Sequence, residues 1–347
     1  MKKVLLGMSG GLDSTYAVTR LREMGYFVEG AVLKMHSYTE VEEARACAAS
    51  LSVPFRVIDA ENTFAQTVIS NFVHSYRGGK TPNPCVLCNE AVKLRLLYEE
   101  ALNSSFDYIA TGHYARVSLE NGRYAVSMGA DTRKDQSYML YRLPQEILER
   151  LILPLGDLLK AEVKQTSKEQ GIAAAERPES QEICFVKGES YAQYIERVAG
   201  TMPEGEFVDE RGEVLGRHKG IHHYTVGQRK GLGVSADSRL FVQCFELNSN
   251  RIVLAKTPKT GKRFYISSPV FSGMTEENAA SGASLLVKIR YLAKPQRAHI
   301  IKEDSGKWLV TLSAEASSLT PGQSAVFYEE GRIMLGGEIE LFEDSNG

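Results

Sequence analysis

Two hydrophobic periods divide the chain. In its first half, short unbroken apolar runs alternate with segments whose apolar residues recur every three or four positions. "KKVLLGM" (2–8), "FVEGAVLK" (27–34), "PFRVIDA" (54–60) and "FDYIAT" (106–111) read as buried strands. Ser14 to Met24, ended by Gly25, reads as a helix. "TEVEEARACAASL" (39–51) reads as a second, with Thr39 and Glu42 in capping-box spacing and Val41, Ala44, Ala48 and Leu51 on one face. Helical patterns continue at 61–76 and 89–103. Apolar strands alternating with helices predict a doubly wound parallel sheet, an α/β fold.

After about 195 the period shortens. Turn signals recur at Asp209-Glu210-Arg211-Gly212 and Asn248-Ser249-Asn250. From about 259 the pattern becomes six alternating segments: "RFYISS", "ASLLVKIRYL", "RAHIIKED", "KWLVTLS", "SAVFYEEG" and "RIMLGGEIELFE". These predict a small β-barrel. The expected units are 1–195, a small central domain at 196–258 and a barrel at 259–347.

Composition changes this picture little. The 347 residues are 43% hydrophobic and 24% charged, as in ordinary globular domains. Five irregularly spaced cysteines exclude a disulfide scaffold. The apolar run at the N-terminus meets glycines and Asp13 within about five residues, too soon for a signal peptide. No run approaches the roughly 20 residues of a membrane span, so the expectation is a cytoplasmic protein without a membrane partner. The net charge is −2, yet its distribution is uneven. Arg251, Lys256, Lys259, Lys262 and Arg263 fall in an acid-free stretch, as do Lys288, Arg290, Lys294, Arg297 and Lys302. Such runs suit a polyanion.

Candidate chemistry begins at "GMSGGLDST" (7–15), the turn between the first strand and first helix. Gly10 and Gly11 permit a tight turn and close ligand approach. Ser9 and Ser14 offer hydroxyls, and the helix N-terminus favours an anion. Asp13 would repel a bare phosphate, and its presence suggests a bridging Mg²⁺. No Lys follows as in a Walker A loop, and the third glycine of a dinucleotide fingerprint is absent.

"TPNPCVLCN" (81–89) holds Cys85 and Cys88. A helix starting near Asn89 would give Cys88 a depressed pKa. Cys184, in "RPESQEICFVKG", follows a polar loop. Cys47 on an apolar helix face and Cys244 in an alternating strand read as packing residues. One pair, one distant cysteine and His113 as the available fourth ligand make a weak zinc site. Catalytic use of the thiols is the stronger reading.

S-G-G-x-D-S after a first strand resembles the PP-loop of the ATP pyrophosphatase superfamily, with its adenine nucleotide alpha hydrolase-like fold. Together with "TPNPCVLCN", "ATGHYAR" (110–116), "KDQSYMLY" (134–141), "ICF" (183–185), "HYTVGQRKGLG" (223–233), "VKIRY" (287–291) and "TPGQSAVFY" (320–328), it resembles the bacterial tRNA-specific 2-thiouridylase family over nearly the whole chain. That resemblance implies ATP-dependent 2-thiolation of the wobble uridine of tRNA, with adenylation of the C2 oxygen and attack by a sulfur nucleophile. It implies that Gly7, Met8, Ser9, Gly10, Gly11, Leu12, Asp13 and Ser14 hold ATP, with Leu33 and Gly112 lining the nucleotide site. Asn83, Pro84 and Cys85 would meet the target base. His113, Lys134, Asp135, Gln136, Arg290, Tyr291 and Gln323 would touch tRNA. Cys184 would carry a persulfide received from a relay protein that already holds persulfide sulfur; the other donor implied, sulfide, would serve without that persulfide. Cys88 would release the sulfur or close a disulfide with Cys184. The partners implied are tRNA and that donor, not DNA.

Many members of the family carry Asp where this chain has Cys85. With Cys88 and Cys184, Cys85 completes a three-thiol set suited to a [4Fe–4S] cluster with one open iron. The persulfide and the cluster remain alternative sulfur routes. Two other functions compete: another PP-loop ligase, which would not need Cys88 or Cys184, and a non-catalytic tRNA-binding protein, against which Asp13 and the intact loop argue.

Overall fold

The computed structural model describes residues 1–176, 183–235, 238–317 and 319–342. Five parallel strands form the first sheet: β1 (Lys3–Gly7), β2 (Phe27–Lys34), β3 (Phe55–Asp59), β4 (Tyr108–Thr111) and, after a hairpin of β5 (Ala115–Glu120) and β6 (Arg123–Met128), β7 (Leu151–Ile152). Their order is β3-β2-β1-β4-β7. Alternate β1 side chains serve opposite layers: Leu5 packs with Leu94, Leu97 and Ile109, while Val4 and Leu6 pack with Ala17, Val18 and Leu21. Both faces are therefore covered, which explains why the strands read as continuous apolar runs.

The central sheet contains β8 (Gly205–Val208), β9 (Val214–His218), β10 (Phe241–Glu246) and β11 (Arg251–Ala255), in the order β10-β11-β8-β9. The six C-terminal strands are β12 (Thr260–Phe271), β13 (Ala283–Lys288), β14 (Gln296–Lys302), β15 (Trp308–Ser317), β16 (Ser324–Glu329) and β17 (Arg332–Glu340). The order β12-β15-β14-β13-β16-β17, closed by β12–β17 pairing, makes a barrel and leaves none of the six with two open edges.

Three features depart from the sequence expectations. The first helix spans Leu12–Glu23 and so starts two residues early. The second spans Val41–Ser50 and its N-cap residue, Glu40, makes no side-chain cap bond. The Thr39 hydroxyl instead accepts the Met35 and His36 amides at 3.2 and 3.3 Å, tightening the loop after β2. The β5–β6 hairpin was not foreseen. It joins the barrel sheet, Ser127 opposite Arg332, while Arg123 donates to the Phe271 and Ser272 carbonyls.

The expected boundary at 195 falls inside the helix Tyr191–Ala199. Ser190 caps that helix by accepting the Gln193 amide, in a capping box. Tyr194 and Ile195 of this helix pack into the core beneath the first sheet, so the helix is shared by two units.

Tyr138 is fully buried between the first domain and the barrel, and its hydroxyl donates to the Ser324 carbonyl at 2.8 Å. Tyr138→Phe is expected to cost about 1 kcal/mol by losing that bond. Tyr138→Ala is expected to cost about 3–5 kcal/mol by adding a cavity. Denaturant unfolding checks the order; equal costs would mean the ring contributes no packing.

Candidate functional site

The loop after β1 is held open by its own hydroxyls. The Ser9 amide donates to Ser14 Oγ at 3.1 Å, and Ser14 Oγ donates to the Gly11 carbonyl at 3.1 Å. Thr15 Oγ1 donates to the same carbonyl at 2.9 Å. Gly10 has φ +76°, and a Cβ there would lie 2.9 Å from the Ala44 backbone nitrogen. Only glycine fits such a position without strain. Gly112 is equally constrained: its Cβ would sit 2.8 Å from Asp13 C and Ser14 N. The end of β4 thereby presses onto the first helical turn.

Asp13 does not face an open cation place. Lys160 Nζ, on a side chain only 10% exposed, lies 2.6 and 2.7 Å from its two carboxylate oxygens. The Tyr114 hydroxyl donates to Oδ1 at 2.8 Å. Lys160 thus neutralises the carboxylate at which a bridging Mg²⁺ was expected. Lys160 was not anticipated, because one lysine in "GDLLKAEV" looks like a solvated helix start.

A cavity of about 640 Å³ opens beside this loop. Gly7, Met8, Ser9, Asp13, Ser14, Leu33 and Gly112 line it, as do His113, Lys93 and Cys184. Gly10, Gly11 and Leu12, expected in the nucleotide set, shape the turn but are not among the lining residues.

The helix carrying the cysteine pair starts earlier than expected. Pro84–Cys88 is helical, Asn83 is its N-cap, and Asn83 Oδ1 accepts the Val86 amide at 3.4 Å. Pro84 takes the first turn, where no N–H is needed. The next residues, Asn89–Lys93, form a π-helical turn before the helix resumes at Leu94–Asn103. Cys88 is therefore in the helix and only 7% exposed, not at a helix N-terminus. Its thiol lies 3.7 Å from Met35 Sδ. Burial pushes it up to about 11, against the downward pull of the Lys93 charge and backbone amide. The expected depressed pKa is corrected accordingly: desolvation outweighs the helix dipole. Cys85 is exposed in the first turn, and its thiol is also pushed up by its crowded surroundings.

Cys184 is exposed at the cavity. Its neighbour Phe185 is buried against Phe64, Phe72 and Tyr194, with ring centroids 5.4, 5.2 and 5.2 Å away. Desolvation raises the Cys184 pKa; Lys93 and the Cys184 and Phe185 backbone amides oppose the rise. The three thiols sense one another: Cys184 and Cys85 both raise Cys88, and Cys85 raises Cys184. Lys93 lowers all three and makes no salt bridge among the described residues. It is the second residue missed from sequence, since a lysine five positions after Cys88 resembles any exposed helix charge.

His113 is pushed down to about 3 by burial, with Lys93 adding to the effect, so it is neutral at physiological pH. Its Nδ1 lies 2.7 Å from Thr111 Oγ1. Cys47 is buried and donates to the Gly10 carbonyl at 3.5 Å, a packing role.

The residues expected on tRNA divide. Lys134 is half-buried, and Tyr291 lies half-buried beside Tyr138. Arg290 is exposed and donates to Thr320 Oγ1. Asp135 is 3% exposed, and its carboxylate accepts the Gly129 and Ser137 amides and the Ser137 hydroxyl. It faces inward, away from any large ligand. Gln136 accepts the Tyr114 amide at 2.9 Å and lines the cavity. Gln323 donates to the Thr81 carbonyl at 2.9 Å, joining the barrel to the segment before Cys85. Some basic residues are also paired internally: Arg251 with Glu206 and Lys302 with Glu276.

Residues 2–188 match the family described as tRNA methyl transferase HUP domain. Residues 192–256 match the tRNA methyl transferase PRC-barrel domain, and 262–339 the aminomethyltransferase beta-barrel domain. The chain is 39% identical over 356 residues to the tRNA-specific 2-thiouridylase of Clostridioides difficile (strain 630), covering 97% of this chain and 98% of that protein. It is 36% identical over 356 residues to the protein of the same name from Caldicellulosiruptor saccharolyticus, covering 98% of each. With that of Lachnoclostridium phytofermentans it shares 38% identity over 354 residues, covering 97% of this chain and 99% of the relative.

Lys93→Met removes the charge that opposes burial at all three thiols. Alkylation of Cys184 and Cys88, followed by mass spectrometry across pH, is expected to be slower in the variant at every pH below the thiol pKa. Wild-type Cys88 alkylation should climb about tenfold per pH unit toward 11. Unchanged or faster alkylation in Lys93→Met would contradict the assignment.

Proposed function

Because this chain belongs to the tRNA-specific 2-thiouridylase family, we propose that it replaces the C2 oxygen of the tRNA wobble uridine with sulfur at the expense of ATP. The observation that carries this reading is the single cavity that joins the PP-loop to Cys184 and Lys93. A nucleotide at one end and a sulfur nucleophile at the other would meet on a base inserted between them.

The C2 oxygen is a poor leaving group. In the first step it attacks the α-phosphorus of ATP and pyrophosphate departs. Amides at the start of the helix Leu12–Glu23, together with the serine hydroxyls, suit the polyphosphate. Lys160 offsets the Asp13 charge that would otherwise repel it. Magnesium would enter on the phosphates of ATP, since Asp13 is already matched.

In the second step the outer sulfur of a Cys184 persulfide attacks C2, and AMP leaves. The Cys88 thiolate then attacks the Cys184 sulfur, forming a Cys88–Cys184 disulfide and freeing the thiocarbonyl. Two thiolate electrons reduce the transferred sulfur, and a reductant of the disulfide resets the enzyme. Lys93 lessens the rise that burial imposes on both thiols. Neutral His113 can accept or donate a hydrogen bond beside the base without carrying charge.

Asn83 and Pro84 fix the turn that presents Cys85 to the base. Lys134, Arg290 and Tyr291 face the tRNA, while Asp135, Gln136 and Gln323 position the loops that do. In the alternative sulfur route, Cys85, Cys88 and Cys184 would hold a [4Fe–4S] cluster, which would supply bound sulfide.

The assay is ATP-dependent thiolation of unmodified tRNA with a persulfide source, read by nucleoside mass spectrometry. Cys184→Ser and Cys88→Ser are each expected to lower 2-thiouridine formation by about three orders of magnitude or more while leaving tRNA-dependent pyrophosphate release intact. Full thiolation by Cys184→Ser would remove Cys184 from the sulfur route, and no 2-thiouridine from the unsubstituted protein would overturn the reading in favour of another PP-loop ligase. Iron and acid-labile sulfide in anaerobically prepared active protein would select the cluster over the persulfide.

A further inference from the structure

Away from the cavity, Glu196, His222 and His223 bring three ligand atoms within 4.8 Å of one another. Glu196 lies on the helix Tyr191–Ala199, and the histidines on the short turn Ile221–His223 of the central unit. Both imidazoles direct Nε2 at the same oxygen, Glu196 Oε1: His222 at 3.2 Å and His223 at 2.9 Å. His222 is fully buried, and its other nitrogen, Nδ1, has no partner among the described residues. Glu196 and His223 keep partial exposure, so an ion can reach the cluster from solvent.

We propose that Glu196, His222 and His223 form a site for a divalent transition-metal ion, with zinc the best match. Two imidazoles and one carboxylate are a borderline donor set that favours zinc over the oxygen-seeking magnesium or calcium. Three protein ligands leave one coordination place for water or a further group.

The position of this cluster gives the ion a task. The Glu196 helix follows the Cys184 segment within a few residues. Arg77, at the end of the helix Ser70–Arg77, donates to the Ala199 carbonyl at 2.7 Å. That helix leads directly to Thr81 and the Cys85–Cys88 turn, and Thr81 Oγ1 lies 3.4 Å from Thr225 Oγ1, two residues after His223. Tyr191 donates to the His223 carbonyl at 3.1 Å, and its ring stacks on Tyr76 at 4.6 Å. An ion here would tie the central unit to both cysteine-bearing segments without touching the reacting atoms.

The test uses Co²⁺ as a spectroscopic probe, with Cys85, Cys88 and Cys184 all replaced by Ser so that the thiols cannot compete. The expected result is one equivalent of visible d–d absorption without thiolate charge-transfer bands, displaced by Zn²⁺. Glu196→Gln and His223→Gln, both at partly exposed positions, should each weaken binding by at least the roughly 10–100-fold that loss of a supporting contact costs. Circular dichroism confirms that each variant is folded. No saturable binding, or binding unchanged in both variants, would overturn the proposal and leave the triad as a carboxylate accepting two imidazole hydrogen bonds.

Discussion

A buried edge-to-face aromatic cluster holds the candidate site together. Phe185 lies among Phe64, Phe72 and Tyr194, and Phe72 also meets Tyr194 at 6.3 Å. Beyond burial of the rings, each such pair contributes about 0.5–1.5 kcal/mol. The same core contains Cys88, Leu33 and Val92. A residue adjacent to Phe185 therefore cannot drift far from Cys88, although the two cysteines are nearly a hundred positions apart in sequence. The exposed Cys184 thiol is tethered by its buried neighbour, a workable arrangement for the proposed route, in which it collects sulfur outside and delivers it inside.

Two lysines then set the electrostatics. Lys160 neutralises the one acid in the phosphate loop, so an anionic ligand meets helix amides and hydroxyls rather than a bare carboxylate. Lys93 opposes, without overcoming, the desolvation that raises all three thiols. Desolvation wins at Cys88, which makes it a poor free nucleophile at neutral pH. In the proposed route that suits Cys88, because a reactive thiol there would discharge a Cys184 persulfide before its sulfur reached the base.

Most of the fold was legible because its strands are either wholly apolar or strictly alternating. All six barrel strands were marked by their period of two, and β2 was read with its observed ends. The β5–β6 hairpin escaped because its sides are mixed: it belongs to the first unit by sequence and to the barrel by pairing. At the site, the glycines and cysteines announced themselves through residue type. The lysines that govern them did not, because the partner that gives Lys160 its meaning is 147 positions away. Cys88 was misjudged for a related reason. The helix start depended on Asn83 as cap and Pro84 at the first turn, and moving it five residues upstream exchanged a dipole-stabilised terminus for a buried interior. Asp135 and Gln323 were expected on tRNA from the family resemblance; the sequence did not show that Asp135 is buried or that Gln323 donates to the Thr81 carbonyl.

The central claim is that Cys184 and Cys88 act as a pair on one activated uridine. The most direct measurement is a single turnover with persulfidated protein, ATP and unmodified tRNA in the absence of reductant, followed by peptide mapping. The account predicts a Cys88–Cys184 disulfide formed one-for-one with 2-thiouridine. Stoichiometric 2-thiouridine with both thiols still free would contradict it.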